Sequence, residues 1–405
     1  MRIGIYNEPS GSFGGSEYVV TVLAHALSER HQVEIVHHNH TLTLDQLAEL
    51  SGLDVSAVRL RLISRQAPPD PWFPSGVRNL RRRYLAEIGW HADLSRPYDL
   101  FINSAHNLPP ICHASTGVLL TLFPLQDRMM LWAYDVAPNV APNGLMLKKR
   151  VKHLYYNWLW QKRFDSYQHK LSISAYTRKW TKAFWGIDSD VLYPPVDTRF
   201  EPAPKANFVL SVGRFSTQSH SKRQLEMMTT YRDMRRTPLE DWCYYCVGGL
   251  LNHPADHAYF DEVKRLAAEC GAHVIPNIAR AELRRLFAGA KIFWHAAGYA
   301  GDETTNPYQA EHFGISTVEA MAAGSVPIVY DHGGQSEIVE HGCSGYLWRT
   351  LDELRNYTGR LVSDEALRAQ MAAAARQRAA RFAREAFLDN FARLVPSVSS
   401  ALRCA

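Results

Sequence analysis

Six cysteines in 405 residues are too few for a disulfide framework, and no apolar run approaches the ~20 residues that a membrane-spanning helix needs. Internal repeats and low-complexity tracts are absent. The glycines at 11, 14 and 15 miss the spacing of a dinucleotide fingerprint, and Glu34 falls inside the second expected strand instead of at its end, which argues against an NAD site. Cys243 and Cys246 sit in an expected strand where their side chains would point to opposite faces, so zinc or redox chemistry there is disfavoured. The chain opens Met1-Arg-Ile-Gly-Ile-Tyr6, directly into an expected strand and without a signal-peptide core. The expectation is a cytoplasmic protein, with a peripheral contact at the inner face of a membrane as a further option.

What is present is ordinary for a globular enzyme-sized chain: 46% hydrophobic and 21% charged residues, and length enough for two domains with a core each. The net charge of +5 is uneven. Residues 1–195 hold 21 Lys+Arg against 16 Asp+Glu, and the remaining 24 against 24. A mildly basic first half suits an anionic partner or surface.

Strand and helix patterns alternate along the chain, which predicts parallel sheets. Residues 3–6 read as a buried strand, residues 10–16 as a Gly/Ser loop, and residues 17–27 as a helix with an apolar stripe at Val19, Val20, Val22, Leu23, Ala26 and Leu27. A further strand, residues 98–103, ends near His106. Residues 145–164 mix Lys and Arg with aromatics; such a segment can lie on an anionic bilayer or form a domain helix with a solvated basic side. Asp188-Ser-Asp190 reads as a turn. The proline-rich stretch 194–204 marks a domain boundary, and residues 367–394 form an Ala/Arg-rich helical tail anchored by Phe382, Phe387 and Phe391.

The chemistry concentrates in the second half. Residues 207–212 predict a strand that runs into Gly213, Arg214 and a polar loop ending at Lys222. Arg offers a fork of donors and Lys a point charge, both suited to a diphosphate. Further on, Glu311-His-Phe-Gly-Ile-Ser-Thr-Val-Glu319 runs into Ala320-Met-Ala-Ala-Gly324 and an apolar strand. A helix that starts near Gly314 places Glu311 at its mouth and Glu319 about two turns along. Backbone N–H groups at Gly314, Ile315 and Ser316 suit an anion, while carboxylates accept from sugar hydroxyls. Gly333-Gly334-Gln335 then repeats the strand, Gly-rich turn, helix pattern that puts ligands at strand ends. The alternative is that Glu311 caps a helix and Glu319 is solvated.

Residues 311–345 resemble the donor-binding core of retaining glycosyltransferases of the GT-B fold that share a Glu-x7-Glu motif, the family 4 group. The resemblance covers nearly the whole chain, strongly over 209–348 and weakly before 172. It implies two Rossmann-like, doubly wound α/β domains facing across a cleft: residues 1–194 for the acceptor, 205–375 for a nucleotide sugar, and 376–405 as a helix crossing back. By resemblance Glu311 lies beside the anomeric carbon, Glu319 binds the ribose, Arg214 and Lys222 clamp the diphosphate, and the loop through Gly15 approaches donor or acceptor. His106 is the candidate for a histidine near the reacting sugar. The resemblance implies retention of configuration and no essential metal, a hexose donor with GDP-mannose ahead of UDP-sugars, and a glycan, lipid-linked or small-molecule acceptor. A sugar-nucleotide epimerase of the same fold and a non-catalytic sugar-nucleotide-binding subunit are the rival expectations.

Overall fold

The computed structural model describes residues 1–7, 14–63, 80–125, 154, 157–217 and 221–402. The chain divides into two units, Met1–Ile173 with Thr177–Leu192 and Leu388–Ala405, and Ser174–Tyr176 with Tyr193–Phe387.

The first unit is built on β1 (Arg2–Asn7), α1 (Gly15–Ser28), β2 (Gln32–His37), α2 (Leu44–Ser51), β3 (Arg59–Leu62), α3 (Leu80–Ser95), β4 (Leu100–Ala105), β5 (Thr116–Thr121), β6 (His169–Ser172) and β7 (Asp190–Val191). The strands form one parallel sheet in the order β3-β2-β1-β4-β5-β6-β7. Its central strands are buried on both faces, which is why Leu100, Phe101 and Ile102 make an unbroken apolar run and Gly4 between Ile3 and Ile5 is buried too, while Glu34 interrupts β2 between Val33 and Ile35. The predicted stripe of α1 is buried in full. Asp190 belongs to β7, so the expected turn at 188–190 ends one residue sooner, with Asp188 paired to Lys182 at 2.7 Å.

The second unit repeats the plan with β8 (Ala206–Val212), α4 (Gln224–Met234), β9 (Cys243–Gly248), α5 (Pro254–Cys270), β10 (His273–Pro276), α6 (Arg280–Gly289), β11 (Ala290–His295), α7 (Ile315–Ala322), β12 (Val326–Tyr330), α8 (Gln335–Ile338), β13 (Tyr346–Trp348), α9 (Leu351–Ser363) and α10 (Glu365–Ala379). The parallel order is β10-β9-β8-β11-β12-β13. Counted from its own first strand, each sheet therefore begins 3-2-1-4-5-6, with a seventh strand added at the edge of the first, and the order reverses between β8 and β11 in the second. At such a reversal the connections leave in opposite directions and open a crevice at the strand ends. An aromatic core of Tyr231, Tyr244, Trp294 and Trp348 fixes this sheet, and the Trp294 indole N–H donates to Thr358 Oγ1 at 3.1 Å.

The tail differs from the single helix expected over 367–394. It breaks after α10 into a short 3-10 turn, Ala380–Phe382, and an extended Ala383 before α11 (Arg384–Leu394). The break lets the Phe382 carbonyl accept from the Val196 N–H at 2.9 Å, and all three expected anchors, Phe382, Phe387 and Phe391, are buried.

Candidate functional site

The crevice end of β11 leads through a long loop into the turn 311–314 and then α7. Gly314, at φ +120°, is the N-cap, and Val318, Ala320 and Met321 bury the inner face of the helix. The N–H groups of Ile315 and Ser316 precede the first intrahelical bond, made by Thr317 to the Gly314 carbonyl, so they stand ready for an anion. The turn after β12 closes on the same place. The Gly334 N–H donates to the Glu311 carbonyl at 2.7 Å. Gly333 has φ +65°, and a Cβ there would sit 2.2 Å from that carbonyl oxygen. No other residue fits, because both the backbone conformation and the approach forbid a side chain.

Two side chains meet at Glu311, and a third stands behind one of them. Lys222 Nζ donates to Glu311 Oε2 at 2.5 Å, His295 Nε2 lies 2.9 Å from the same oxygen, and Gln335 Nε2 faces His295 Nδ1 at 3.4 Å. His295 is 2% exposed, Glu311 15% and Lys222 18%. Burial by itself would push the Glu311 carboxyl up, but the Lys222 ammonium and the His295 hydrogen bond outweigh it and hold the group well below the usual carboxylate range. Burial lowers the pKa of His295 further than the adjacent carboxylate raises it. The site therefore presents, at neutral pH, a fixed anion with a lysine beside it and a neutral imidazole behind it.

Arg214 leaves the end of β8 on the strand next to β11. Its side chain is exposed, and its backbone is pinned. Buried Gln224 donates from Nε2 to the carbonyls of Gly213 (3.1 Å) and Arg214 (2.9 Å), and the Tyr259 hydroxyl in turn accepts from the Gln224 N–H at 3.0 Å. The Phe215 N–H donates to the Gly249 carbonyl. A rigid backbone that carries an exposed guanidinium is well suited to meeting a phosphate.

Glu319 occupies a different environment. It is half-buried, and burial pushes its carboxyl up to about 7, against the pull of Arg280, Arg284 and Arg384 and with the help of Asp197. Those arginines are already engaged: Asp197 Oδ2 accepts from Arg284 at 2.9 Å, Arg280 at 3.4 Å and Arg384 at 3.5 Å. Glu337, which opens α8, is used by the fold, accepting from the N–H groups of Ala175 (2.7 Å) and Tyr176 (2.9 Å).

The loop 297–310 is tied down in part. The Tyr176 hydroxyl donates to the Pro307 carbonyl at 2.8 Å, and Asp302 accepts from the Thr304 N–H and hydroxyl and from the Thr305 hydroxyl.

Of the residues singled out in the sequence, Glu311, Lys222, Gly314, Ile315 and Ser316 surround one turn, with Arg214 on the adjacent strand end. Gly15 and His106 belong to the first unit. Gly15 is the first residue of α1, where Glu17 accepts from the Gly14 N–H at 2.9 Å and from Asn7 Nδ2 at 3.2 Å. His106 follows β4, half-buried, its carbonyl accepting from the Leu125 N–H. Residues 10–13 of the Gly/Ser loop and most of 145–164 lie outside the described residues. No described helix is long and apolar enough to cross a membrane. Sequence reasoning missed His295, which reads as the last residue of an apolar strand; its one signal is a polar side chain at the strand's carboxyl end, where ligands gather.

Residues 197–378, within the second unit, match the family described as Glycosyl transferases group 1. Over 242 residues the chain is 27% identical to the GDP-Man:Man(3)GlcNAc(2)-PP-Dol alpha-1,2-mannosyltransferase of Dictyostelium discoideum, covering 55% of this chain and 45% of that protein. A protein of the same description from Caenorhabditis elegans is 27% identical over 207 residues, 44% of this chain and 40% of that one. The chain thus spans less than half the length of these curated relatives. Among solved structures, a glycosyltransferase from Rickettsia africae superposes with a TM-score of 0.69 at 14% identity, covering 100% of this chain and 99% of the other. Anabaena HepE, solved with UDP and glucose, gives 0.64 at 17% identity, covering 98% and 100%. At such identities the likeness carries the fold: two parallel-sheet α/β domains of the GT-B type.

Proposed function

We propose that this protein is a retaining hexosyltransferase that takes its sugar from a nucleotide donor, GDP-mannose before others, and passes it to a hydroxyl of a glycan, lipid-linked or small-molecule acceptor. The observation that carries the reading is Glu311, a nearly buried carboxylate kept anionic by Lys222 and His295 at the reversal point of the second sheet. The mannosyltransferase relatives support mannose and GDP; the HepE complex supports a nucleotide sugar in this kind of fold.

In the reaction the bond between the anomeric carbon and the departing phosphate oxygen breaks. The acceptor oxygen bonds to that carbon and gives up its proton. Positive charge develops on the sugar and negative charge on the diphosphate. Glu311, held as an anion, stabilises the first, while Arg214, Lys222 and the N–H groups of Ile315 and Ser316 stabilise the second. Glu319 receives the ribose hydroxyls. His106 and the loop at Gly15 serve the acceptor side. No metal is needed for these roles, because the cationic side chains supply the charge that a divalent ion would. The protein works in the cytoplasm, or at the inner face of a membrane.

Thermal unfolding across GDP-, UDP-, ADP- and dTDP-sugars tests the donor, since a ligand that binds only the folded state raises the melting temperature. GDP-mannose is expected to give the largest shift, followed by mannosylated product when acceptors are added. A shift without transfer, with an isomerised nucleotide sugar recovered, would support an epimerase instead. No shift with any donor, in folded protein, would remove the donor site.

A further inference from the structure

His295 has a part in holding the Glu311 charge in the reading above but none in placing the carboxylate, and its ring is buried beside it. Its position is rigid: it is the last residue of β11, between strands β8 and β12, with its ring fully packed. Lys222 differs in kind. It sits at the end of the polar loop after β8 on a four-carbon stem, and its ammonium is also a ligand for phosphate. An arriving diphosphate competes with Glu311 for that ammonium. An imidazole fixed at a strand end cannot be drawn away in this manner.

The hydrogen-bond directions add a second point. Both donors converge on Oε2, and among the described residues nothing donates to Glu311 Oε1. The Gln335 amide N–H faces His295 Nδ1, which makes Nδ1 the acceptor and places the ring proton on Nε2, toward the carboxylate. The reversed amide would present its oxygen to Nδ1 and need a proton on both ring nitrogens, an imidazolium next to the Lys222 charge in a buried site, which desolvation opposes.

We propose that His295, its tautomer set by Gln335, is a positioning residue that holds Glu311 by Oε2, so that Oε1 alone meets the reacting sugar and Lys222 can move to the donor diphosphate without releasing the carboxylate. This rests on the donor-site reading given above.

The test compares His295→Leu, which removes the donor, with His295→Gln, whose amide N–H can reach the place of Nε2. In His295→Leu, kcat is expected to fall about tenfold to a hundredfold, the scale of loss when a catalytic group shifts by about 1 Å, with the donor KM and the donor-induced thermal shift retained. His295→Gln should recover most of kcat. Equal kcat in wild type and His295→Leu overturns the proposal, and so does a parallel loss of kcat and donor binding that His295→Gln does not relieve. A second readout needs no turnover: in protein carrying nitrogen-15 histidine, the signals lost in His295→Gln should show an Nε2-protonated ring in wild type and a changed pattern in Gln335→Leu. An Nδ1-protonated or doubly protonated His295 overturns it even where wild type transfers no sugar, so the two failures are separable.

Discussion

The mouth of α7 and its interior carry one glutamate each, eight residues apart, and the surroundings drive them in opposite directions. Glu311, in the turn before the helix, keeps its charge because Lys222 and His295 both reach it. Glu319, in the helix, lies among three arginines whose charge is largely taken up by Asp197, and burial prevails. A cation set against the carboxylate outweighs burial at Glu311, whereas arginines already paired to an acid do not outweigh it at Glu319.

Breaking the mouth should have the largest effect. Glu311→Gln keeps the shape and removes the charge, and sugar transfer is expected to fall by at least about a hundredfold, with nucleotide-sugar binding retained in a thermal-shift assay. Full activity in this variant would end the proposed mechanism. The acid limb of stability should change as well. A carboxyl held below its ordinary 4.5 contributes stability above that pH, lost as pH falls through the folded-state pKa, so Glu311→Gln should flatten the decline of melting temperature on the acid side.

A smaller effect is expected from Gly333→Ala, which leaves every charge in place and pushes a methyl group at the Glu311 carbonyl. Strain at φ +65° and the backbone clash should cost about 2 kcal/mol, read by chemical denaturation, with a lower kcat as the turn shifts. Unchanged stability and kcat would mean that the Gly333 turn does not hold Glu311.

The interior glutamate gives the mildest prediction, with the opposite sign. Glu319 titrates near 7 in the folded protein and near 4.5 unfolded, so between those values the folded state binds the extra proton and stability falls as pH rises from about 4.5 to 7. Glu319→Gln should remove that slope in melting temperature and weaken nucleotide-sugar binding by about tenfold, the loss of a hydrogen bond or two. An unaltered slope would show that Glu319 is charged throughout.

Much of this was legible from residue order. Alternating apolar strands and helices, together with the Gly-x-x-x-x-Glu spacing at 314–319 and the glycines at 333 and 334, carry local geometry in their identities: only glycine adopts φ +65° under a carbonyl, and a helix spaces its own side chains. Those signals predicted two parallel sheets and the Gly314 helix start with Glu311 at its mouth. Three features needed the folded chain. His295 reaches Glu311 because β11 ends beside the turn 311–314, and 15 intervening residues hide that from any local pattern. Lys222 was read as a phosphate ligand, and its bond to Glu311 exists because the β8 and β11 connections open at the same reversal of strand order. The charge of Glu319 depends on Asp197 and arginines from α6 and α11. Sequence by itself determined which residues could be charged and where the backbone could turn; the tertiary structure decided which charges survive burial, since that depends on distances of a few ångströms between groups far apart in the chain.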